Sequence, residues 1–265
     1  MITIKEYVRA KSLEEAWQLN QNKKNRILGG MLWMRLGNGM VNTAIDLSEL
    51  GLDVIEENEE EFSIGAMVSL RDLEKHKGLN EYTANAVKNA VKDIVGVQFR
   101  NMATLGGSLW GRFGFSDVLT VFMALDSYVE LYKGGRIPME DFAKMKEDND
   151  ILVRVIVKKA PGRVVYQAMR NQSTDFPVLT CAISHMNGMY KAVIGARPGK
   201  AVSCYDTKQR LKNGVTKETI KLFAEDISES VETKSNVRGS KEYRTHLIKV
   251  LIERGMTEGG DSNGN

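Results

Sequence analysis

Asn101–Trp110 reads NMATLGGSLW, two adjacent glycines flanked by the hydroxyls of Thr104 and Ser108 and set among apolar residues. Arg26–Gly37, RILGGMLWMRLG, again puts Gly-Gly behind a short apolar run, about 77 residues earlier. Paired glycines let a backbone approach an anion closely and turn successive N–H groups toward it. Thr104–Ser108 adds hydroxyl donors to that pattern, whereas Leu28–Gly30 supplies the backbone half alone. Two such segments would hold the two phosphates of a dinucleotide from opposite sides. Gly-Gly also makes plain turns, as Gly134-Gly135 after YVELYK is expected to do. Spacing alone leaves both readings open.

Working outward, the 265 residues suffice for one large domain or two modest ones. The 42% hydrophobic and 27% charged composition is that of a globular chain. No apolar run approaches the roughly 18 residues of a membrane helix. The opening MITIKEYVRAKSLEEAW carries Glu6, Glu14 and Glu15 and lacks an apolar core segment, so it does not read as a signal peptide, and a cytoplasmic setting is expected. The net charge of +3 is small and interspersed, which gives no support for nucleic-acid binding. Cys181 and Cys204 have no C-x-x-C partner and are expected free and reduced; two thiols cannot hold an ordinary iron–sulfur cluster, which takes about four. His76, His185 and His246 form no metal-spacing motif and are expected to be structural or surface residues.

Ser12–Glu15 is a capping box opening a helix to about Leu19. NRIL and TAIDLSEL read as strands, and LDVIEE with EFSIGAMVSL as a hairpin turning at Glu57–Glu60. Ser69 with Asp72 caps a helix, and one helix is expected through EYTANAVKNAVKDI. Ser116 and Asp117 start another, with Val118, Val121, Phe122 and Leu125 at helical spacing. YVELY and DILVRVIVKK are strands, and GGRIPMEDF between them a loop. Pro161-Gly162 marks a boundary. Beyond it RVVYQAM, PVLTCAISHM and MYKAVIGA suggest a small antiparallel sheet. Two helices should cover one side of it, one burying Ile220, Phe223, Ala224, Ile227 and Val231, the other with Tyr243, Leu247, Val250, Leu251 and Arg254 on one face. The class is α+β, in two domains, 1–160 and 161–256, the second a three-stranded sheet plus helices; 257–265 is expected to be a disordered tail. A strand followed by G-x-G-x-x-G is missing, which argues against a nicotinamide-type Rossmann domain.

Five segments in order carry a resemblance. ILGGMLWM, IGAMVSLRDLE, VQFRNMATLGGSL, SDVLTVFMALDSYVEL and SNVRGSKEYRTHLIKVLIERGM resemble the two Gly-Gly loops, the I-G-A segment between them, the helix that follows and the closing R-G-S-x-E-Y-R segment of the FAD-binding medium subunits of the molybdenum hydroxylases, the family of xanthine and carbon monoxide dehydrogenases. The match runs from about residue 3 to about residue 256. It implies a two-part flavoprotein fold and non-covalent FAD. It places the pyrophosphate at Leu28, Gly29, Gly30, Met31, Leu32 and Trp33 and at Thr104, Leu105, Gly106, Gly107 and Ser108. It also implies an apolar contact from Ile94 and an acidic one from Asp117 near the adenosine end. Core packing and a helix-terminal charge are the alternative readings of those last two.

The sequence departs from the family's pattern in two places. Met31 and Leu32 stand where polar residues are usual, and Gln167 or Ala168 stands where the family has a lysine. The function implied is that of an electron-transfer oxidoreductase subunit with no catalytic acid–base pair and no metal site of its own. A [2Fe–2S] subunit would deliver electrons, a molybdopterin subunit would carry the substrate chemistry, and NAD or another acceptor would take the pair. The alternatives are a flavin-free scaffold subunit of such a complex, and a self-contained flavin oxidase. No His or Cys lies near either Gly-Gly to attach a flavin, which argues against the oxidase.

Overall fold

The computed structural model describes residues 1–258. In chain order the elements are β1 (Thr3–Arg9), α1 (Leu13–Asn20), β2 (Arg26–Leu28), β3 (Met40–Asp46), β4 (Ile55–Glu57), β5 (Glu61–Gly65) and α2 (Leu70–Lys75). Then come α3 (Lys77–Tyr82), α4 (Ala86–Val91), α5 (Val97–Met102), α6 (Leu105–Trp110), α7 (Asp117–Ala124), β6 (Ser127–Leu131), β7 (Gly135–Pro138), α8 (Met139–Lys144) and β8 (Leu152–Lys158). The chain closes with β9 (Gly162–Arg170), β10 (Pro177–Met186), β11 (Met189–Gly195), β12 (Val202–Tyr205), α9 (Lys217–Ser230) and α10 (Lys241–Glu258).

These elements form two compact units interleaved in sequence. One comprises 1–73, 96–111 and 127–158; the other comprises 74–95, 112–126 and 159–258. Thus 74–95 and 112–126 join the chain's second half in space.

The first unit holds a three-stranded parallel sheet, order β1-β3-β2, and a five-stranded antiparallel sheet, order β4-β5-β8-β6-β7. Ser12 caps α1 by accepting from the Glu15 N–H, and the Glu15 carboxylate accepts from the Lys11 N–H. The helix buries Ala16 among Ile45, Leu47 and Val153. The β4–β5 turn is held by the Asn58 side-chain oxygen, which accepts from the N–H groups of Glu60 and Glu61. Gly135, at φ +68°, closes the β6–β7 turn as expected of Gly134-Gly135. GGRIPMEDF is therefore not a loop: it supplies β7 and α8.

The second unit is built on a four-stranded antiparallel sheet, order β12-β11-β10-β9. The fourth strand, β12, is an addition to the three expected; at four residues it is too short to show alternation. One face packs on α9 and α10, burying Leu179, Cys181, Ile183, Phe223, Ile227, Leu251 and Ile252. The opposite face packs on α4 and α7. Hence residues 177–184 are buried without interruption, and helices cover both sides of the sheet where the sequence indicated one. EYTANAVKNAVKDI is not one helix. Ala84 and Asn85 are left-handed, φ 48° and 64°, and part α3 from α4, a break fixed by the Asn85 N–H donating to the Asn80 carbonyl. Both cysteines are free. Cys181 is fully buried, and burial pushes both thiols up. Of the expected tail, Thr257 and Glu258 are the last residues of α10, and 259–265 lie outside the described residues.

Candidate functional site

In the first unit, β2 pairs with β3 through Ile27 with Ile45 and Leu28 with Asp46, which aims the strand's end at Gly29. Met31 turns the chain through the left-handed region at φ 58°. The Arg35 N–H then returns to the Met31 carbonyl at 3.0 Å, and the Leu36 and Gly37 N–H groups to the Trp33 and Met34 carbonyls at 3.1 Å, making a single 3-10 turn, Met34–Leu36. Leu28 and Leu32 are buried, so their side chains pack and their backbones remain. Among the described residues, none accepts from the backbone N–H groups of Gly30, Met31 and Leu32. Three successive donors around a left-handed residue are the elements of a backbone anion nest.

The second Gly-Gly is not an open loop. Thr104 is the N-cap of α6, its Oγ1 accepting from the Gly107 N–H at 3.1 Å. The Leu105 N–H goes to the Val68 carbonyl, and the Gly106 N–H to the Ala66 carbonyl, both at 2.8 Å. The Ser108 N–H and hydroxyl both go to the Thr104 carbonyl, at 3.0 and 2.8 Å. The amides of 105–108 are therefore spent inside the chain. This segment contributes shape, the absence of side chains, and the hydroxyl proton of Thr104. It also explains the IGAMVSL segment: residues 66–70 are the rail on which 103–106 is pinned. A Cβ on Gly106 would sit 2.9 Å from the Ala66 Cβ.

The two Gly-Gly segments meet. A Cβ built on Gly29 would lie 3.0 Å from Thr104 Oγ1 and 3.4 Å from Gly107 Cα, and one on Gly30 would strike the Met102 carbonyl oxygen at 2.0 Å. Gly29, Gly30, Thr104 and Gly107 thus form one cradle in which the missing side chains matter. A dinucleotide pyrophosphate fits this chemistry, with backbone donors on one wall, a hydroxyl on the other and no Cβ between them. The unit that holds the cradle contains no His or Cys, so it offers neither of those anchors for a covalent flavin.

At Gly107 a Cβ would meet only the Thr104 side-chain oxygen at 3.0 Å and Gly29 Cα at 3.8 Å. A valine there projects toward Gly29, and its Cβ keeps ordinary van der Waals distance from the Gly29 backbone. Gly107→Val is expected to fold, with an unfolding midpoint within a few degrees of wild type, yet to bind FAD at least tenfold more weakly, ~1.4 kcal/mol. An FAD titration of the folded variant with unchanged affinity would remove Gly107 from the site.

Ile94 and Asp117 belong to the second unit. Ile94 is half-buried in a turn after α4, its N–H on the Val91 carbonyl. Asp117 is buried at the start of α7, behind Ser116, which caps the helix by accepting from the Leu119 N–H at 3.1 Å. Its Oδ1 accepts from the Tyr166 hydroxyl and from Arg170 Nη2 at 2.5 Å, with the two side chains of the ion pair only 7% and 8% exposed. Tyr166 and Arg170 escaped the sequence reading; their i, i+4 placement on one face of β9 was the available signal. Ala168 shares that alternation, whereas Gln167 faces Gly255 of α10. Of the two residues, Ala168 is thus the one on the Asp117 side of β9.

Burial pushes the Asp117 carboxyl up to about 6, against the opposing pull of Arg170 and Tyr166. With the folded value above the ordinary 3.8, the fold holds the proton more tightly than the unfolded chain does. The contribution of Asp117 to stability is therefore greatest below pH ~4, falls as pH rises to ~6, and is flat beyond. Thermal melts of wild type minus Asp117→Asn between pH 4 and 7 should show this slope, because asparagine cannot titrate. A difference that stays constant would show the carboxylate charged throughout.

Among the described residues no group of three or more His, Cys, Asp or Glu is placed to hold a metal ion, and no helix is long and apolar enough to cross a membrane. The family described as the FAD binding domain in molybdopterin dehydrogenase matches residues 3–159, and the CO dehydrogenase flavoprotein C-terminal domain matches 164–258. The chain belongs to this flavoprotein family. It therefore carries an FAD-binding domain, with the cradle inside the matched region. Relatives include the xanthine dehydrogenase FAD-binding subunit of Escherichia coli O157:H7, 23% identical with 97% of each chain covered, and the glyceraldehyde dehydrogenase medium chain of Sulfolobus acidocaldarius, 25% identical over 95% of this chain and 97% of that one. Among solved structures, carbon monoxide dehydrogenase from Hydrogenophaga pseudoflava, in a form lacking the Mo-pyranopterin moiety of its cofactor, superposes with a TM-score of 0.83 at 21% identity, over 95% of this chain and 96% of that one. The likeness is one of fold.

Proposed function

We propose that this chain is the flavoprotein subunit of a cytoplasmic molybdenum-containing hydroxylase or dehydrogenase. It binds FAD non-covalently, takes electrons from a [2Fe–2S] subunit, and gives them to NAD or another acceptor, while a molybdopterin subunit carries the substrate chemistry. The meeting of Gly29–Leu32 with Thr104–Gly107 carries this reading. Gly30, Met31 and Leu32 would offer backbone N–H groups to the pyrophosphate and Thr104 its hydroxyl, while Gly29 and Gly107 let the two segments close on each other. Ile94 and Asp117 are the second unit's candidate contacts, Asp117 being fixed by Tyr166 and Arg170. FAD supplies the exchange between one-electron and two-electron carriers; the chain's own residues bind and orient it.

The purified full chain should take up FAD yet oxidise no purine or aldehyde with an artificial acceptor, turnover appearing only when the iron–sulfur and molybdenum subunits are added. Turnover by the chain alone would replace this reading with a self-contained oxidase. Two observations favour a second reading, a flavin-free scaffold: Met31 and Leu32 bring no polar side chain, and the 105–108 amides are engaged internally. A chain that stays colourless after incubation with FAD would select it.

A further inference from the structure

The two segments that meet at the cradle also carry a pair of rings. Trp33 stands three residues beyond Gly30, and Phe99 three before Met102, whose carbonyl lies against Gly30. The rings meet edge to face, centroids 6.4 Å apart at 71°. Phe99 is half-buried, whereas Trp33 is 53% exposed. Leu36 and Met102, on the same two segments, are also exposed. An exposed indole braced by a second ring, on the segment whose Gly30, Met31 and Leu32 backbone N–H groups find no acceptor among the described residues, is the polar-plus-planar pairing that a dinucleotide requires: donors for phosphate, a π-face for a ring.

We infer that Trp33, braced by Phe99, is the platform on which one planar ring of the dinucleotide stacks. This rests on the FAD reading above and deepens it. The edge-to-face contact fixes the indole plane before binding, so little ordering is needed when the ring arrives. Met31 and Leu32 serve the same arrangement, packing the turn and leaving the platform to Trp33.

The test uses the full chain as wild type, Trp33→Leu and Trp33→Phe. FAD stoichiometry and affinity are measured, with flavin emission per bound FAD. The Trp33 share of tryptophan emission, wild type minus Trp33→Phe, is followed on adding ADP alone. A stacking Trp33 makes Trp33→Leu roughly tenfold weaker for FAD while Trp33→Phe keeps most of the affinity. In addition, either flavin emission rises several-fold in Trp33→Leu, which marks the isoalloxazine as the stacked ring, or ADP quenches Trp33, which marks the adenine. If wild type binds one FAD and Trp33→Leu matches it in affinity and emission, with no quenching by ADP, the stacking role is overturned and the cofactor reading stands. Equal loss of binding in Trp33→Leu and Trp33→Phe also overturns it, since the turn and not the ring would then be responsible. If wild type itself binds no FAD, the cofactor reading fails and takes this inference with it.

Discussion

Arg244→Met should lower the unfolding midpoint by about 10 °C, from a loss on the order of 4 kcal/mol. Arg244 has no exposed surface. Its Nε donates to the Val178 carbonyl at 2.9 Å, Nη1 to the carbonyls of Lys234 and Gly239 at 2.7 and 2.5 Å, and Nη2 to the Asn236 side-chain oxygen at 2.6 Å. One guanidinium thereby ties α10 to β10 and to the turn at 234–239. Methionine fills much of the volume but leaves the buried Val178 carbonyl unmet, at about 1–3 kcal/mol, and loses three further bonds to partly buried acceptors, at about 1 kcal/mol each. Arg244→Lys should recover only part of the loss, because an ammonium cannot reproduce the planar fork. Differential scanning calorimetry of the three proteins decides the point; a methionine variant as stable as wild type would mean that the knot contributes nothing.

Gly30→Ala is the second large effect. The added Cβ lies 2.0 Å from the Met102 carbonyl oxygen and 2.6 Å from its carbon, and neither is the end of a side chain that can swing away. The turn or the end of α5 must move, at roughly 3 kcal/mol or more. Gly107→Val, by contrast, meets the Thr104 hydroxyl at 3.0 Å and no backbone atom outside α6 nearer than 3.8 Å. The pair should therefore separate: Gly30→Ala loses stability and FAD together, Gly107→Val loses FAD alone. A Gly30→Ala protein that melts with wild type would show that the two segments stand further apart than described.

The legible parts of the fold were those written in local chemistry. Ser12, Ser69 and Ser116 each cap the helix that their spacing announces, and the hairpin at 57–60 closes on Asn58. The ordered motifs were legible as a family before their physical roles were. Ala66 turns out to be small because Gly106 lies on it, and the closing R-G-S-x-E-Y-R segment owes its last arginine to the buried knot. On α10, Leu247 and Leu251 are buried as expected, but Arg244, Ile248 and Ile252 complete the buried side, and Tyr243 and Arg254 are exposed. A charged residue in a core position inverts the periodic signal. β7 and β12 are too short for alternation to show. The break at Ala84–Asn85 and the covering of the sheet by α4 and α7 depend on residues distant in sequence. Likewise, both Gly-Gly pairs could be seen, but the internal use of the second pair's amides could not, since their acceptors lie on 66 and 68.

The central claim is that Gly29–Leu32 and Thr104–Gly107 hold FAD, and an FAD titration of the purified wild-type chain tests it most directly. Flavin-free protein should take up one FAD per chain, released intact on denaturation because it is non-covalent, with Gly107→Val folded but much weaker. A folded wild-type chain that takes up no FAD at any workable concentration would contradict the account.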